Sequence, residues 1–286
     1  MSTADGFVRN RHAASTLPYL RWLVLAFGAV AIVYPLAVFL INSLKTDQQF
    51  IVDPLGLPSY WAFGNYVTAW VKADMGRLIL NSLFVSICST ALAILLSSML
   101  AFGLHAYRFR GRRAVLASIV MMITIPAQVY IIPLYIIVIQ LHLINTYWAL
   151  ILPYAAGAMP LAVVLFSNYF ASLPRELMDA ARIDGASSVD VYWRVLLPLA
   201  RPVIGAVTIF SFTGAWNEFF LALVLMQNKD VYTLPLGMQV FANSAYSIQF
   251  TLLFAAFSIS MLPMVVVYLL MQRQFIAGLA GGALKG

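Results

Sequence analysis

A single cysteine, Cys88, three histidines and ten Asp or Glu are all that 286 residues offer to thiol, imidazole or carboxylate chemistry. One cysteine excludes a disulfide scaffold and a thiolate-built metal site. No G-x-x-x-x-G-K-[ST] loop is present to cradle phosphates and no H-E-x-x-H to hold zinc, while His12, His105 and His142 lie far apart in the chain. Neither a nucleotide-hydrolysing site nor an intramembrane catalytic set can be assembled from such parts. Charge is scarce as well, at 9% of residues against about 25% in an ordinary soluble domain. So few charges cannot cover a water-facing surface without leaving large apolar patches, which excludes a cytosolic enzyme with a conventional core.

What the chain has instead is apolar length: 63% hydrophobic residues and a mean hydropathy of +0.90. This excludes a disordered chain and predicts an integral membrane protein. Roughly 20 apolar residues in a helix cross the hydrocarbon layer. Six runs qualify, at about Trp22 to Leu44, Leu78 to Leu104, Val115 to Val138, Tyr147 to Tyr169, Val203 to Leu225 and Phe250 to Met271. Pro35, Pro126, Pro133, Pro153, Pro160 and Pro263 predict kinks that neighbouring helices must accommodate.

The basic residues sort strongly by side. Arg9, Arg11, Arg21, Arg108, Arg110, Arg112, Arg113, Arg175, Arg182, Arg194, Arg201, Arg273 and Lys285 fall on one side of the six spans, and only Lys45, Lys72, Arg77 and Lys229 on the other. Because positive residues are retained on the cytoplasmic side, both termini are expected to be cytoplasmic. The net charge of +7 then reflects membrane orientation and not nucleic-acid binding. The division is a cytoplasmic segment 1–21, a six-span domain 22–271 with a long cytoplasmic loop 172–202, and a glycine-rich cytoplasmic tail 272–286. The first span follows basic residues as a signal peptide does, but its apolar run exceeds the usual 7 to 15 residues or so, and it reads as a retained helix. The two outer segments, Asp47 to Gly76 and Gln227 to Gln249, are long enough to touch an external partner, the second carrying Tyr232, Phe241 and Tyr246.

Glu218 is the sole acid within any expected span. An intramembrane carboxylate is a functional candidate because burying it is expensive. Its place towards the outer end of the fifth span leaves two readings open: a pathway or gating group, or a structural hydrogen-bonding residue. A proton-coupled carrier usually carries several such groups, so one acid weakens that alternative.

The loop 172–202 alternates acids, arginines and apolar residues, as two short helices around a turn. Ser172 is expected to cap the first, with Pro174 in its first turn. Leu177, Ala180 and Ala181 form a small-residue stripe, and Arg175, Asp179 and Arg182 can pair along its flank. Gly185 ends it. Ser187 and Asp190 form a capping box for a second helix, Val189 to Leu197, which Pro198 stops. From the residues alone this is an amphipathic hairpin that rests on the bilayer or receives a partner.

The run Glu176-Leu177-Met178-Asp179-Ala180-Ala181-Arg182-Ile183-Asp184-Gly185-Ala186, followed by Leu197-Pro198, resembles the EAA loop of binding-protein-dependent ABC importer permeases. Asp179 stands for the motif's Glu and Val195 for its Ile. Asn81-Ser82, Trp216-Asn217-Glu218-Phe219, Thr233-Leu234-Pro235-Leu236-Gly237 and the tail Phe275 to Gly286 extend the likeness along nearly the whole chain, towards carbohydrate-uptake permeases such as the six-span maltose-system subunit. The resemblance implies an all-α, type I importer permease fold in a bacterial or archaeal cytoplasmic membrane. It implies a second homologous permease, two ATP-binding subunits that hold ATP and Mg, an extracytoplasmic solute-binding protein and a sugar as substrate, with no enzyme activity or bound cofactor in this chain. Glu176, Leu177, Asp179, Ala180, Ala181, Asp184, Gly185 and Ala186 are then the ATPase-coupling residues. Gly278, Gly282 and Lys285 are tail contacts to the ATPase, the tail itself being a flexible, non-helical strap because glycine disfavours helix. Gln128, Tyr130, Trp216, Asn217 and Glu218 are pathway candidates, as aromatic and hydrogen-bonding groups suit sugars. The competing function is an ion-coupled secondary transporter.

Overall fold

A computed structural model describes residues 13–174, 176–244 and 249–283. Its helices, in chain order, are α1 (Ala13–Ser43), α2 (Asp47–Val52), α3 (Gly64–Lys72), α4 (Met75–Ala106), α5 (Arg112–Met122), α6 (Ala127–Gln140) and α7 (Trp148–Ser172). They continue with α8 (Glu176–Ile183), α9 (Ser188–Asp190), a π turn at Val191–Leu196, α10 (Leu197–Leu199), α11 (Arg201–Asn217) and α12 (Phe220–Leu225). A 3-10 turn at Lys229–Val231, α13 (Leu234–Ala242) and α14 (Phe250–Ala283) complete the order, with no strand among the described residues.

The chain divides into two compact units. The first runs to Ala69 and takes in the stretch ending at Ser258; the second runs from Trp70 to Ser244 and resumes at Ile259. In the first unit Phe39 and Phe50 each pack edge-on against Phe254, with ring centroids 4.8 and 5.2 Å apart. Asp47 Oδ1 accepts from the Thr251 hydroxyl at 2.8 Å. The turn after α1 is tied by Asn65, whose amide donates to the carbonyls of Ser43 and Lys45 at 2.9 and 2.8 Å. Lys45 is itself buried, and its Nζ donates to the Asp53 carbonyl at 2.7 Å.

In the second unit α4, α7 and α11 pack on one another. Small side chains make close approach possible: Ser82, Ser86, Ser89, Ala93, Ser97 and Ala101 line the buried face of α4, and Ala155 and Ala162 are buried on α7. Such faces associate helices where lipid removes the hydrophobic drive, since backbones can come close. The remaining faces stay apolar. Tyr19, Trp22, Phe27, Val30 and Ile32 of α1 are more than half exposed. In water so much exposed apolar surface is not tolerated, whereas lipid or a second membrane subunit accepts it.

Among the described residues four helices are long and apolar enough to cross a membrane, Arg21–Ser43, Met75–Ala106, Trp148–Ser172 and Phe250–Arg273, and a fifth candidate is the pair Ser188–Leu199 and Arg201–Asn217, bent by 76°. The expected third span, 115–138, is not continuous: it breaks between α5 and α6. Pro126 disfavours helical geometry at Ile125 and has no N–H to give, so Ile123 to Ile125 close tight three-residue turns instead. The expected fifth span, 203–225, breaks at Glu218, whose backbone is extended at φ −71°, ψ 129°.

Three local expectations change as well. Ser172 does not cap α8; it ends α7, its hydroxyl donating to the Tyr169 carbonyl at 2.7 Å. Pro198 does not stop the second hairpin helix, because the chain widens into the π turn just before it, with the Leu197 N–H reaching the Tyr192 carbonyl. Widening removes the need for an N–H at 198 and relieves the ring's clash with the preceding turn. The tail through Gly278 and Gly282 is helical as far as Ala283, correcting the non-helical strap. Each glycine costs about 1 kcal/mol, but extending an existing helix avoids nucleation, and Ile276, Ala277, Leu279 and Ala280 favour it. Lys285 lies outside the described residues.

Candidate functional site

The hairpin α8 to α10 is built by its end-signals. At the C-terminus of α8 the Ala186 N–H reaches the Ala181 carbonyl at 2.9 Å and the Gly185 N–H reaches Arg182 at 3.0 Å, while Gly185 sits at φ +84°. This is a Schellman closure, which places the left-handed residue where glycine stands. Ser187 and Asp190 then form the expected capping box, the Asp190 N–H donating to the serine hydroxyl and the Ser187 N–H to the carboxylate, both at 3.2 Å.

The hairpin stands on a core of its own chain. Met178, Val191, Tyr192 and Leu196 are buried with Phe102, Phe166 and Phe170, and Ala181 and Ala186 pack against the same cluster. Leu177, Ala180, Asp179, Glu176, Asp184 and Gly185 face outward. The small-residue stripe therefore divides: Ala181 belongs to the hairpin's support, and Leu177 and Ala180 are the apolar surface left for contact. Asp179 pairs with Arg182 at 3.7 Å, and Arg175 lies outside the described residues. The Tyr192 hydroxyl meets Ser98 of α4 at 2.8 Å in a buried site, which ties the hairpin to a membrane-candidate helix. Tyr192→Phe is expected to leave Ser98 without this partner and to destabilise the protein by about 1 kcal/mol. Thermal unfolding in detergent checks this; an unchanged midpoint contradicts the link.

A second feature is a cleft of about 280 Å³ between α6, α7, α11 and α12. Gly157, Ala158, Gly214 and Ala215 leave the space, and Tyr130, Tyr154, Ser211 and Glu218 supply its polar groups. Glu218 accepts the Tyr154 hydroxyl at 2.6 Å and the N–H groups of Leu221 and Ala222 at 2.9 and 3.3 Å. Its carboxylate thus caps the first N–H groups of α12, in keeping with the structural reading of this acid, and it also forms part of the cleft wall. Of the other candidates, only Tyr130 lines the cleft. Trp216 is buried and stacked on Phe212 at 5.7 Å, Asn217 is exposed and bonds back to the Thr213 carbonyl, and Gln128 is exposed. Tyr154 and Ser211 were not visible in the sequence, where nothing separates one Tyr or Ser in a span from another. Glu218→Leu removes three accepted hydrogen bonds at once and is expected to cost about 2–4 kcal/mol, whereas Glu218→Gln, which keeps an acceptor oxygen, costs less. Equal losses for the two variants, read as thermal midpoints, contradict the capping role.

The third feature lies at the start of α4. Asn81 donates to the carbonyls of Asp230 and Tyr232 at 2.8 and 2.9 Å and accepts the Tyr147 hydroxyl at 2.7 Å. Ser82 accepts the Leu234 N–H at 2.6 Å. Arg77 pairs with Asp230 and, at 3.0 Å, with Asp74. Asn145 Oδ1 accepts the N–H groups of Gln227 and Asn228 at 2.6 and 3.0 Å. The loop before α13 is thus pinned to the helices beneath it. Gly237 lies where a Cβ would run into the Leu78 side chain, which explains the glycine of Thr233-Leu234-Pro235-Leu236-Gly237. Phe241 of this outer segment is buried because α13 turns its apolar face inward, and Tyr246 lies outside the described residues.

Residues 93–280 match the family described as binding-protein-dependent transport system inner membrane component. The chain belongs to this family. Among its relatives, the diacetylchitobiose uptake system permease protein NgcG of Streptomyces coelicolor is 35% identical over 263 residues, covering 92% of this chain and 87% of that protein. The arabinooligosaccharides transport system permease protein AraQ of Bacillus subtilis is 31% identical, covering 96% and 99%. A chain in the crystal structure of a bacterial ABC transporter involved in the import of the acidic polysaccharide alginate superposes with a TM-score of 0.80 at 22% identity, covering 92% of this chain and 98% of its own. This permease therefore shares the ABC importer permease fold, and its apolar helices make it a multi-pass membrane protein.

Proposed function

We propose that this permease is the membrane-spanning subunit of an ATP-driven, binding-protein-dependent importer of a sugar or oligosaccharide in a bacterial or archaeal cytoplasmic membrane. The observation that carries the reading is the hairpin: Leu177, Ala180 and the acids Glu176, Asp179 and Asp184 are presented outward on a turn held by Gly185 and braced from behind by Met178, Ala181 and Tyr192. Such a hairpin can receive a push and pass it to α4 and α7. In this reading α5 with α6, and α11 with α12, each cross as a broken span, giving six crossings with both termini cytoplasmic. ATP and Mg belong to two partner ATPase subunits, a second permease completes the pathway, and a solute-binding protein delivers the sugar. The helical tail with Gly278 and Gly282 lies against the ATPase side, and Tyr130 and Glu218 line this subunit's part of the pathway. The sugar class is supported by the names of the relatives, which include uptake permeases for diacetylchitobiose and arabinooligosaccharides.

The test is purification of the complex from mild detergent, with ATP hydrolysis and sugar uptake measured for the wild type and for Ala180→Lys. Ala180 is exposed, so a lysine there opposes docking without disturbing the core that Ala181 supports. Recovery of an ATPase that is lost from the variant supports the reading. Uptake that needs no ATP and collapses with a protonophore returns the ion-coupled carrier.

A further inference from the structure

We propose that the turn joining α4 to α5 is a binding site for the phosphate of an anionic phospholipid headgroup. Arg108, Arg110, Arg112 and Arg113 fall within six residues, and the sequence holds no Asp or Glu between Asp74 and Glu176. Among the described residues none of these four guanidinium groups has an ion-pair partner, whereas Arg77, Arg182 and Arg194 all do. The positive charge of this turn is therefore not compensated by any ion pair among the described residues. A cleft opens here, lined by Arg108, Phe109, Gly111, Arg112, Arg113 and Ala114. Gly111 takes φ +92°, folding the turn tightly so that arginines from both sides of it reach one cleft, and α5 then starts with no acid in its first turn.

Guanidinium forks match phosphate oxygens in pairs, so clustered arginines can hold a phosphate by paired hydrogen bonds as well as by charge. Position selects the source. The membrane-candidate helix α4 ends at Ala106, one residue before the turn, and Tyr107 and Phe109 beside the arginines are each about half exposed. Aromatic and basic side chains at the end of an apolar helix belong to the headgroup layer, where a lipid phosphate is always at hand. The inference rests on the proposed topology only in assigning this lipid to the cytoplasmic leaflet.

The experiment is native mass spectrometry of the purified complex titrated with phosphatidylglycerol or phosphatidylcholine. Retention of phosphatidylglycerol over phosphatidylcholine is expected, with about fivefold loss for each arginine removed, so about 25-fold for Arg112→Gln with Arg113→Gln. Equal retention of the two lipids, or wild-type retention in the double variant, overturns the proposal. Should the Gln pair fail to insert, the Arg112→Lys and Arg113→Lys pair keeps the orienting charge; a several-fold loss there supports paired guanidinium contacts, and no loss overturns them. Excess inorganic phosphate separates the sources: if phosphate binds and phosphatidylglycerol does not displace it, the site takes a free anion and the lipid assignment fails. Topology is read independently, by labelling Ala114→Cys in a Cys88→Ser background with an impermeant maleimide on intact cells. Labelling from outside contradicts the cytoplasmic placement in the proposed function while leaving the lipid result standing.

Discussion

Gly185→Val is expected to reduce sugar uptake and the coupled ATP hydrolysis by about 5- to 30-fold while the protein still inserts and accumulates. The residue sits at φ +84°, and a branched side chain in that left-handed region costs about 1–2 kcal/mol. That is enough to shift the hairpin's population by the stated factor. The strain falls at one point, the closure that turns α8 into α9, so the outward face of Leu177 and Ala180 loses its fixed angle before the core behind it is disturbed. A graded series gives the prediction its force: Gly185→Asn, which tolerates this conformation, is expected close to wild type, Gly185→Ala in between and Gly185→Val lowest. Uptake measured against membrane-inserted protein checks the order. A flat series, or one ordered by side-chain size without regard to backbone preference, contradicts the role assigned to the turn.

The second large effect is expected at Asn81. Replacing it by Leu leaves two carbonyls, of Asp230 and Tyr232, and the Tyr147 hydroxyl without their partner in a site where Asn81 is only 6% exposed. Each unsatisfied buried group costs about 1–3 kcal/mol, so a total of roughly 2–5 kcal/mol follows once overlap is allowed for. Asn81→Asp is expected to be comparably damaging, because a carboxylate facing two carbonyls repels where the amide donated. Thermal unfolding in detergent, followed by limited proteolysis at residues 226–233, checks both. Variants that unfold at the wild-type temperature with an uncleaved loop contradict the pinning role. Ser82→Ala frees the Leu234 N–H in the same loop, so its effect and that of Asn81→Leu should not add.

The hairpin was legible in the sequence to an unusual degree because its signals are local. Gly185, Ser187 and Asp190 specify a helix stop and a helix start through bonds that span five residues or fewer, and the structure has both. Which side of α8 is free was not legible. Ala180 and Ala181 are chemically identical neighbours, and only the packing of Phe166, Phe170 and Tyr192 decides that one supports and the other is presented. The pair Asn81-Ser82 was visible as part of a resemblance, but its partners lie 66 to 152 residues away in the chain. Glu218 was visible as an unusual acid, yet its three partners arise from where α7 passes and where α12 begins.

The sequence by itself determined the solvent of this protein, its helical class, the lopsided distribution of its basic residues and the family to which it belongs. The first three follow from composition, run length and local spacing, and the family from the resemblance of its motifs; none needs a folded partner to be read. The tertiary structure decided where apolar runs break, at Pro126 and Glu218, which small residues pack inward, and which polar groups gather around one cleft. Those outcomes depend on hydrogen bonds and contacts between segments distant in the chain. Hydropathy weighs each residue against lipid and water and is blind to neighbours that only folding brings together.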